Sequence, residues 1–320
     1  MTLTRKIAFE EHFSAVGFDD YSKAFVKHIN TQASSELNAR LADFDDTRIR
    51  LMDQFAIDYV ILSQTGPGVQ NEPDAATAVR RSRQNNDFLA AQIDRNRERF
   101  GGFATLPMQD PDAAIEELRR TVNDLGFKGA LVNGHTHGIY YDDRQYDPFW
   151  AELEKLGVPL YLHPFDAYDV PHAYSGHPEL VGATWGWGVE AGTHALRLLF
   201  GGVFDRFPGV KVILGHMGEG LPFQRWRFDS RFAVYPHGVS LKQQPSQYIG
   251  SNILITTSGV CSHAALQGAI AEMGPQAVMF SVDYPYESIE LAANFIDTAP
   301  LDEQTKNMVC YENAKKLFNL

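Results

Sequence analysis

A carboxylate and an imidazole stand two positions apart near the start of the chain, where Glu10 and His12 follow a short apolar run. Residues two apart on a β-strand share one face, so both side chains can point the same way while Glu11 points away. Carboxylate and imidazole are suitable ligands for a divalent ion such as Zn²⁺ or Mn²⁺. Alone, the pair is equally compatible with a charged strand end that carries a structural histidine.

Three more candidate ligands end apolar runs much later in the chain, namely His163, His216 and Asp283. An aspartate that closes a very apolar run is costly to bury unless it is paired or binds metal. The carboxyl ends of distant strands meet at one rim when the strands form a parallel barrel, and barrel sites lie at that rim. These positions together predict a single metal site at the mouth of such a barrel.

Two other groups of residues invite weaker interpretations. His135 and His137 form an HxH pair, but they follow the fourth apolar run in a loop, which favours a polar loop over a ligand pair and leaves substrate contact open. Arg227 could hold a carboxylate through two parallel hydrogen bonds, and a helix salt bridge with Asp229 or Asp205 is the alternative. Cys261 and Cys310 are too far apart to suggest a thiolate site, so Zn²⁺ and Mn²⁺ both stay open.

Eight short apolar runs could supply the strands that position these residues, since each is apolar on both faces, as in buried parallel strands. The runs are 6–9, 59–63, 102–106, 129–133, 159–163, 211–216, 252–256 and 277–283. Helical patterns lie between most of them, at 46–55, 112–125, 146–156 and 303–318. This alternation predicts an α/β fold, a (β/α)8 TIM barrel formed by one domain over 1–320.

Two segments exceed what the barrel needs, 13–40 after the first strand and 165–193 after the fifth. Because both follow the carboxyl end of a strand, we expect them to be inserted loops that cover the barrel mouth. The alternative fold is an open doubly wound sheet, which the absence of a glycine-rich phosphate turn after the first run disfavours.

Composition excludes several classes of partner. The 320 residues carry a net charge of −12, which argues against a nucleic-acid surface and against binding to an anionic membrane. No stretch is long and apolar enough to span a bilayer, and Glu10 and Glu11 interrupt any apolar core that a signal peptide would need. We therefore expect a cytoplasmic protein with neither a nucleic-acid nor a membrane partner.

Several strings give the chain a specific resemblance. They are AFEEHF at 8–13, YLHP at 161–164, LGHMGEGLP at 214–222 and FSVDYP at 280–285. In combination, and over nearly the whole chain, the sequence resembles the decarboxylase branch of the amidohydrolase superfamily, which includes aminocarboxymuconate-semialdehyde decarboxylase. EEHF and HMGEG are similar to γ-resorcylate (2,6-dihydroxybenzoate) decarboxylases. NGHTHG at 133–138 and SGV at 258–260 look closer to 5-carboxyvanillate decarboxylases, which leaves the ring substituents open.

The resemblance implies roles for individual residues. It implies that one divalent ion, Zn²⁺ or Mn²⁺, is held by Glu10, His12, His163 and Asp283. It further implies His216 and Glu219 as catalytic groups, Arg227 as a substrate contact that reaches a neighbouring subunit, and a homotetramer or homodimer. Phe18, in the first covering segment, is a candidate for stacking on the substrate ring.

The implied reaction is the non-oxidative decarboxylation of a small aromatic carboxylate, an ortho-hydroxylated benzoate, to the phenol and CO₂. Asp283 is the expected proton donor. Burial beside other carboxylates would raise its pKa and a metal would lower it. The alternative from another reaction class is a metal-dependent hydrolase, such as a lactonase, in which the ion activates water. A third possibility is a barrel that binds a ligand without catalysis.

Overall fold

Eight parallel strands form the centre of the molecule in a computed structural model that describes residues 3–18, 21 and 31–320. The strands are β1 Lys6–Phe13, β2 Ile57–Gln64, β3 Phe100–Gly102, β4 Ala130–Asn133, β5 Leu160–His163, β6 Val212–Leu214, β7 Ile253–Thr256 and β8 Val278–Met279. They pair in chain order, β1 to β3 in one sheet and β4 to β8 in another. The isolated bridges Ala104–Ala130 and Glu11–Tyr284 join the two sheets at both of their edges and so close the barrel. The predicted (β/α)8 barrel is confirmed.

Two strands differ from the predicted runs in a way that matters for the site. β1 continues to Phe13, so Glu10 and His12 lie within the strand and not beyond it. β8 is only two residues long. The chain after it still lies against β1, because the Ser281 hydroxyl accepts hydrogen bonds from the backbone N–H groups of Phe9 and Glu10, at 2.8 and 3.1 Å. The Ser281 side chain therefore takes the place of the backbone hydrogen bonds that would otherwise pair the chain with β1 at this point.

Helices surround the barrel. They are α1 Thr31–Leu41, α2 Thr47–Gln54, α3 Ala75–Arg95, α4 Pro111–Asn123, α5 Asp147–Leu156, α6 Gly186–Phe200, α7 Val203–Arg206, α8 Arg225–Phe232, α9 Pro245–Tyr248, α10 His263–Met273, α11 Ile289–Asp297, α12 Glu303–Asn307 and α13 Asn313–Phe318. The Asp110-Pro111 start of α4 is confirmed, since the Asp110 carboxylate accepts from the backbone N–H of Ala113. The predicted helix 303–318 is divided by a π-helical turn, Met308–Glu312.

The two covering segments are only partly irregular. Of segment 13–40, residues 19, 20 and 22–30 lie outside the described part of the chain, and α1 begins at Thr31. The expectation of a loop through residue 193 was wrong from Gly186 onward, where α6 begins. The reason is burial, because Ala191 and Ala195 of that helix are fully buried against the barrel.

Aromatic rings fill the barrel beneath the mouth. Phe9 packs on Phe318 with ring centroids 4.9 Å apart, and Phe103 lies 6.0 Å from Tyr161. One continuous hydrophobic cluster extends from Ile7 to Phe318. This packed floor means that polar groups at the strand ends above it face a rigid apolar base. Among the described residues, no helix is both long and apolar enough to cross a membrane.

Candidate metal centre

Four side chains from three strand ends meet at the mouth of the barrel: Glu10, His12, His163 and Asp283. Each offers one ligand atom, and these atoms all lie within 4.8 Å of one another. The structure brings these four predicted candidates together, whereas His216 lies beside the group and is not part of it. It brings together residues as far apart as 10 and 283, because closure of the barrel places β1 next to the chain that follows β8.

Direct backbone hydrogen bonds align β1 with the segment that carries Asp283. The N–H of His12 donates to the carbonyl of Tyr284 at 2.7 Å, and the N–H of Asp283 donates to the carbonyl of Glu10 at 2.9 Å. Asp283 has a φ of 77°, in the left-handed region that non-glycine residues seldom occupy. Such strained positions are typical of functional sites, where the surrounding structure enforces them.

The two candidate ligand histidines are each held by Nδ1, which leaves Nε2 to face the centre. His12 Nδ1 lies 3.1 Å from the Ser63 hydroxyl, and His163 Nδ1 lies 3.0 Å from the carbonyl of Pro164. Outer partners of this kind orient metal-binding imidazoles in proteins. Burial lowers the pKa of His163 to about 3, so its ring is neutral, as a metal ligand must be.

Glu10 is fully buried, and its two carboxylate oxygens have opposite environments. Oε2 accepts hydrogen bonds from the hydroxyls of Tyr161 and Ser258, and from Thr256 Oγ1 at 3.2 Å. Oε1 is 3.7 Å from His163 Nε2 and has no hydrogen-bond partner. Burial raises the pKa of Glu10 above its ordinary value.

Three atoms of the group are buried without a hydrogen-bond partner, namely Glu10 Oε1, His12 Nε2 and Asp283 Oδ1. Leaving buried polar groups unsatisfied costs about 1–3 kcal/mol each, so native proteins rarely do so without a reason. His12 Nε2 and Asp283 Oδ1 are 3.1 Å apart but form no aligned hydrogen bond. Two carboxylate oxygens and two imidazole nitrogens that aim at one point fit a single divalent ion.

His216 and Glu219 form a pair beside this group. His216 Nδ1 is hydrogen-bonded to Glu219 Oε1 at 2.7 Å, while its Nε2 lies 3.6 Å from Asp283 Oδ2 and 3.7 Å from Glu10 Oε1. Both residues, with Met217 between them, have positive φ angles of 48–58°. The tight turn folds Glu219 back under the imidazole.

The charges of the pair and of Asp283 depend on each other. Burial lowers the pKa of His216, but Glu10 and Glu219 outweigh it and raise that pKa well above the ordinary value. Burial raises the pKa of Asp283, but contacts with His12 and His216 outweigh it and lower that pKa. The sequence left open whether burial or a bound metal would dominate the pKa of Asp283, and in the protein alone the imidazoles of His12 and His216 already lower it.

Arg227 is an exposed residue of α8 and is not among the four candidate ligands. The alternative expected from sequence, a salt bridge with Asp229 or Asp205, was wrong. Asp229 accepts from the backbone and hydroxyl of Ser246 at 2.8 and 2.6 Å, and Asp205 accepts from Tyr248. Within the described part of the chain, Arg227 makes no ion pair.

Phe18 is buried in the first covering segment, with 4% of its surface exposed. The guanidinium of Arg81 lies over its ring at 4.4 Å, and the ring of Tyr21 is 5.8 Å away. One face of Phe18 is therefore already covered by a cation, and only the rest of the ring could meet a substrate.

The rival pair of histidines takes no part in the group of four. His135 Nε2 lies 3.2 Å from the carbonyl of Asp166, and its Nδ1 accepts from the N–H of Gly138 at 3.2 Å. His137 is exposed. The interpretation of this segment as a polar loop is consistent with these contacts.

The hydroxyls around Glu10 were not predicted from the sequence, although it carries a signal for them. Tyr161 stands two residues before His163, so both must share one face of β5. Thr256 and Ser258 stand two apart at the end of β7. Alternation places each such pair toward the barrel axis, but the sequence does not say which ligand they meet.

Comparison with known proteins agrees with this geometry. A family profile described as amidohydrolase matches residues 12–320. The chain belongs to the amidohydrolase family. It is 43% identical to a γ-resorcylate decarboxylase of Rhodococcus jostii, over 98% of each chain.

Two solved structures are similar over nearly the full length. One is a 2,6-dihydroxybenzoate decarboxylase in complex with 2,6-dihydroxybenzoate, with a TM-score of 0.94 and 43% identity, which covers 99% of this chain and 100% of that one. The other is a dihydroxybenzoic acid decarboxylase of Polaromonas with bound manganese and 2-nitroresorcinol, with a TM-score of 0.93, 42% identity and coverage of 99% and 98%. The resemblance stated from the sequence strings is confirmed.

Proposed function

We propose that this amidohydrolase family member is a carboxy-lyase that removes CO₂ from an ortho-hydroxylated benzoate, with 2,6-dihydroxybenzoate as the first candidate. The observation that carries the proposal is the set of unpartnered buried atoms that face one point beside the His216–Glu219 pair. The similarity to γ-resorcylate decarboxylases over 98% of the chain favours decarboxylation over the lactonase alternative.

The ligands of one Mn²⁺ or Zn²⁺ ion would be Glu10 Oε1, His12 Nε2, His163 Nε2 and an oxygen of Asp283. When bound, the ion supplies positive charge that binds and orients the phenolate and carboxylate oxygens of the substrate. The manganese in the Polaromonas relative supports this choice of ion.

Asp283 is the proposed proton donor to the ring carbon that carries the carboxylate. When this carbon gains the proton, the bond to the carboxylate can break, and its electron pair restores the aromatic ring as CO₂ leaves. His216 Nε2, 3.6 Å from Asp283 Oδ2, is the neighbouring group that can resupply the proton. Glu219 holds the His216 ring in place through Nδ1.

The test is product analysis with purified, Mn²⁺-loaded protein. We expect 2,6-dihydroxybenzoate to give resorcinol and CO₂ in equal amounts, and we expect treatment with a chelator to abolish turnover. A panel of other ortho-hydroxybenzoates then defines the tolerated ring substituents. Release of an acid from a lactone, with no CO₂ from any hydroxybenzoate, would replace this function with hydrolysis.

Arg227 is proposed to contact the substrate bound by a neighbouring copy in a homodimer or homotetramer. Its exposure supports this, as does the absence of an ion pair with any described residue, and Trp226 and Tyr235, close to it in sequence, are also exposed, 77% and 59% accessible. Large apolar side chains exposed together mark interaction surfaces. An arginine on such a surface can hold a carboxylate of the facing copy.

Subunit mixing tests this role. Arg227→Met leaves the copy's own candidate ligands intact, and Asp283→Asn leaves Arg227 intact. In a two-fold dimer, exchange between the two inactive variants should restore roughly a quarter of wild-type activity. No recovery of activity, although tagged subunits show that exchange has occurred, would place Arg227 outside the neighbour's site.

We also propose that Phe18 stacks on the substrate ring, and the KM of Phe18→Leu tests this role.

A further inference from the structure

Three side-chain hydroxyls surround the buried carboxylate of Glu10. We propose that Tyr161, Thr256 and Ser258 are positioning residues that confine Glu10 to a single ligand oxygen and so keep binding positions open for the substrate. This inference rests on the proposed metal-dependent decarboxylation. The three hydroxyls, here called the Glu10 cradle, come from β5 and from the end of β7.

The cradle engages one carboxylate oxygen only. All three hydroxyls contact Oε2, whereas Oε1 has no hydrogen-bond partner. A carboxylate oxygen can accept about two hydrogen bonds along its lone pairs, so Oε2 is fully occupied. Rotation that turned both oxygens toward one ion would break these contacts.

The three cradle hydroxyls also lie close to one another. Thr256 Oγ1 lies 2.8 Å from Ser258 Oγ and 3.1 Å from the Tyr161 hydroxyl. Ser258 Oγ also accepts the backbone N–H of His216 at 3.0 Å, which connects the cradle to the His216–Glu219 pair. All three cradle residues are fully buried, so no bulk water competes for Oε2.

Steric contact confines Glu10 from another side. A Cβ at Gly215 would lie 2.6 Å from both carboxylate oxygens, closer than real Cβ atoms approach. The end of β6 therefore packs directly on the carboxylate. The hydrogen bonds select which oxygen faces the other ligand atoms, and the backbone of Gly215 leaves the carboxylate little room to move.

The number of ligand atoms that the protein supplies decides how many coordination positions are left for the substrate. Mn²⁺ commonly accepts about six ligand atoms, and the four protein residues offer one each. About two positions then remain, the number that the carboxylate and phenolate oxygens of an ortho-hydroxybenzoate require. If Glu10 bound through both oxygens, one of these positions would be lost.

The experiment counts water on the ion directly, with no substrate present. Water-proton relaxation of the Mn²⁺-loaded protein is compared among wild type, Tyr161→Phe and the double variant Tyr161→Phe with Ser258→Ala. We expect the double variant to lose roughly half of the exchangeable water, the single variant to lose less, and Mn²⁺ affinity to stay within about threefold. Tyr141→Phe is the matched control, because that equally buried hydroxyl bonds Gln70 and Thr136 instead.

Two results would overturn the proposal. Unchanged relaxation with Mn²⁺ affinity lowered about 10–100-fold, the usual cost of losing an outer partner, would mean that the cradle only strengthens metal binding. Equal changes in Tyr141→Phe would mean a general loss of packing. If the wild type binds Mn²⁺ but decarboxylates no hydroxybenzoate, the proposed function is wrong. The number of water molecules on the ion would still decide whether the cradle confines Glu10 to one ligand oxygen.

Discussion

Two groups of histidines near the barrel mouth have opposite environments. In the metal-site group, His12 and His163, Nδ1 is held by a neighbour and Nε2 faces a carboxylate oxygen, at 3.1 and 3.7 Å. The second group, here called the β4 group, consists of His135, which follows β4, and His194 of α6, which contacts the same segment. The bonded nitrogens of these two histidines contact backbone groups. His135 bonds on both sides, and His194 Nε2 accepts from the N–H of Tyr141 at 3.1 Å.

The difference shows what makes a histidine at a barrel mouth a candidate ligand. Burial alone does not, because His194 is as buried as His12. The deciding feature is a free nitrogen that faces unpaired carboxylate oxygens.

Removing the acid of the metal-site group should have the largest effect. Asp283→Asn keeps an oxygen near the ion but cannot pass on a proton in the same way. We expect kcat to fall by about 10³-fold, within the range for loss of a general acid, with metal retained. Steady-state kinetics and metal analysis of the same preparation check this. Near-normal turnover would exclude Asp283 as proton donor.

Exchanging one histidine from each group for alanine compares the groups directly. His163→Ala should weaken Mn²⁺ binding by more than about 100-fold, beyond the cost of losing an outer partner. His135→Ala should leave Mn²⁺ affinity within about threefold, since neither of its nitrogens faces the group of four. Competition with a chelating indicator measures both. Equal losses would erase the distinction between the groups.

Glu219→Gln should have an intermediate effect. The amide still reaches His216 Nδ1 but no longer carries the charge that raises the pKa of His216. We expect kcat to fall by about 10–100-fold, as for other partners that orient a functional imidazole, while Mn²⁺ affinity changes little. Kinetics at saturating Mn²⁺ tests this, and loss of metal instead of rate would assign Glu219 to ion binding.

The β4 group should contribute to the free energy of unfolding and not to catalysis. Burial lowers the pKa of His194 to about 3, from 6.5 in the unfolded chain. Between these values only the unfolded chain takes up the proton, so stability is present above pH 6.5 and declines as the pH falls. From pH 7 to pH 5 this loss amounts to about 2 kcal/mol.

Urea unfolding at the two pH values, for wild type and His194→Gln, measures that contribution. The variant should lack the corresponding part of the pH dependence. An identical loss of stability between the two pH values in both proteins would mean that the pKa of His194 is not lowered in the folded protein.

The smallest effect is expected at His137, which is exposed in the loop after β4. Because it lies outside the group of four, His137→Ala should change the unfolding free energy by no more than about 0.5 kcal/mol. It should leave Mn²⁺ affinity unaltered. A loss of Mn²⁺ from this variant would revive the HxH pair as a ligand pair.

Some features of the site were predictable because they depend on local sequence. Glu10 and His12 are two residues apart on one strand, and the pleat alone places them on one face. Asp283 could be recognised because a carboxylate at the end of so apolar a run needs a partner. The overall barrel followed from the alternation of apolar runs and helical patterns, even where β8 proved much shorter than its run.

Other features required the folded chain. The sequence by itself determined the types of ligand and the strand ends that carry them. Only the tertiary structure decided which oxygen of Glu10 is free, that Tyr161 and Ser258 hold the other, and that His135 faces backbone groups. The physical reason is that the Glu10 contacts join residues more than 100 positions apart, Glu10 with Tyr161 and with Ser258. The contact between His135 and Asp166 joins the segments that follow β4 and β5. Both kinds of contact depend on how the strands are arranged around a closed barrel.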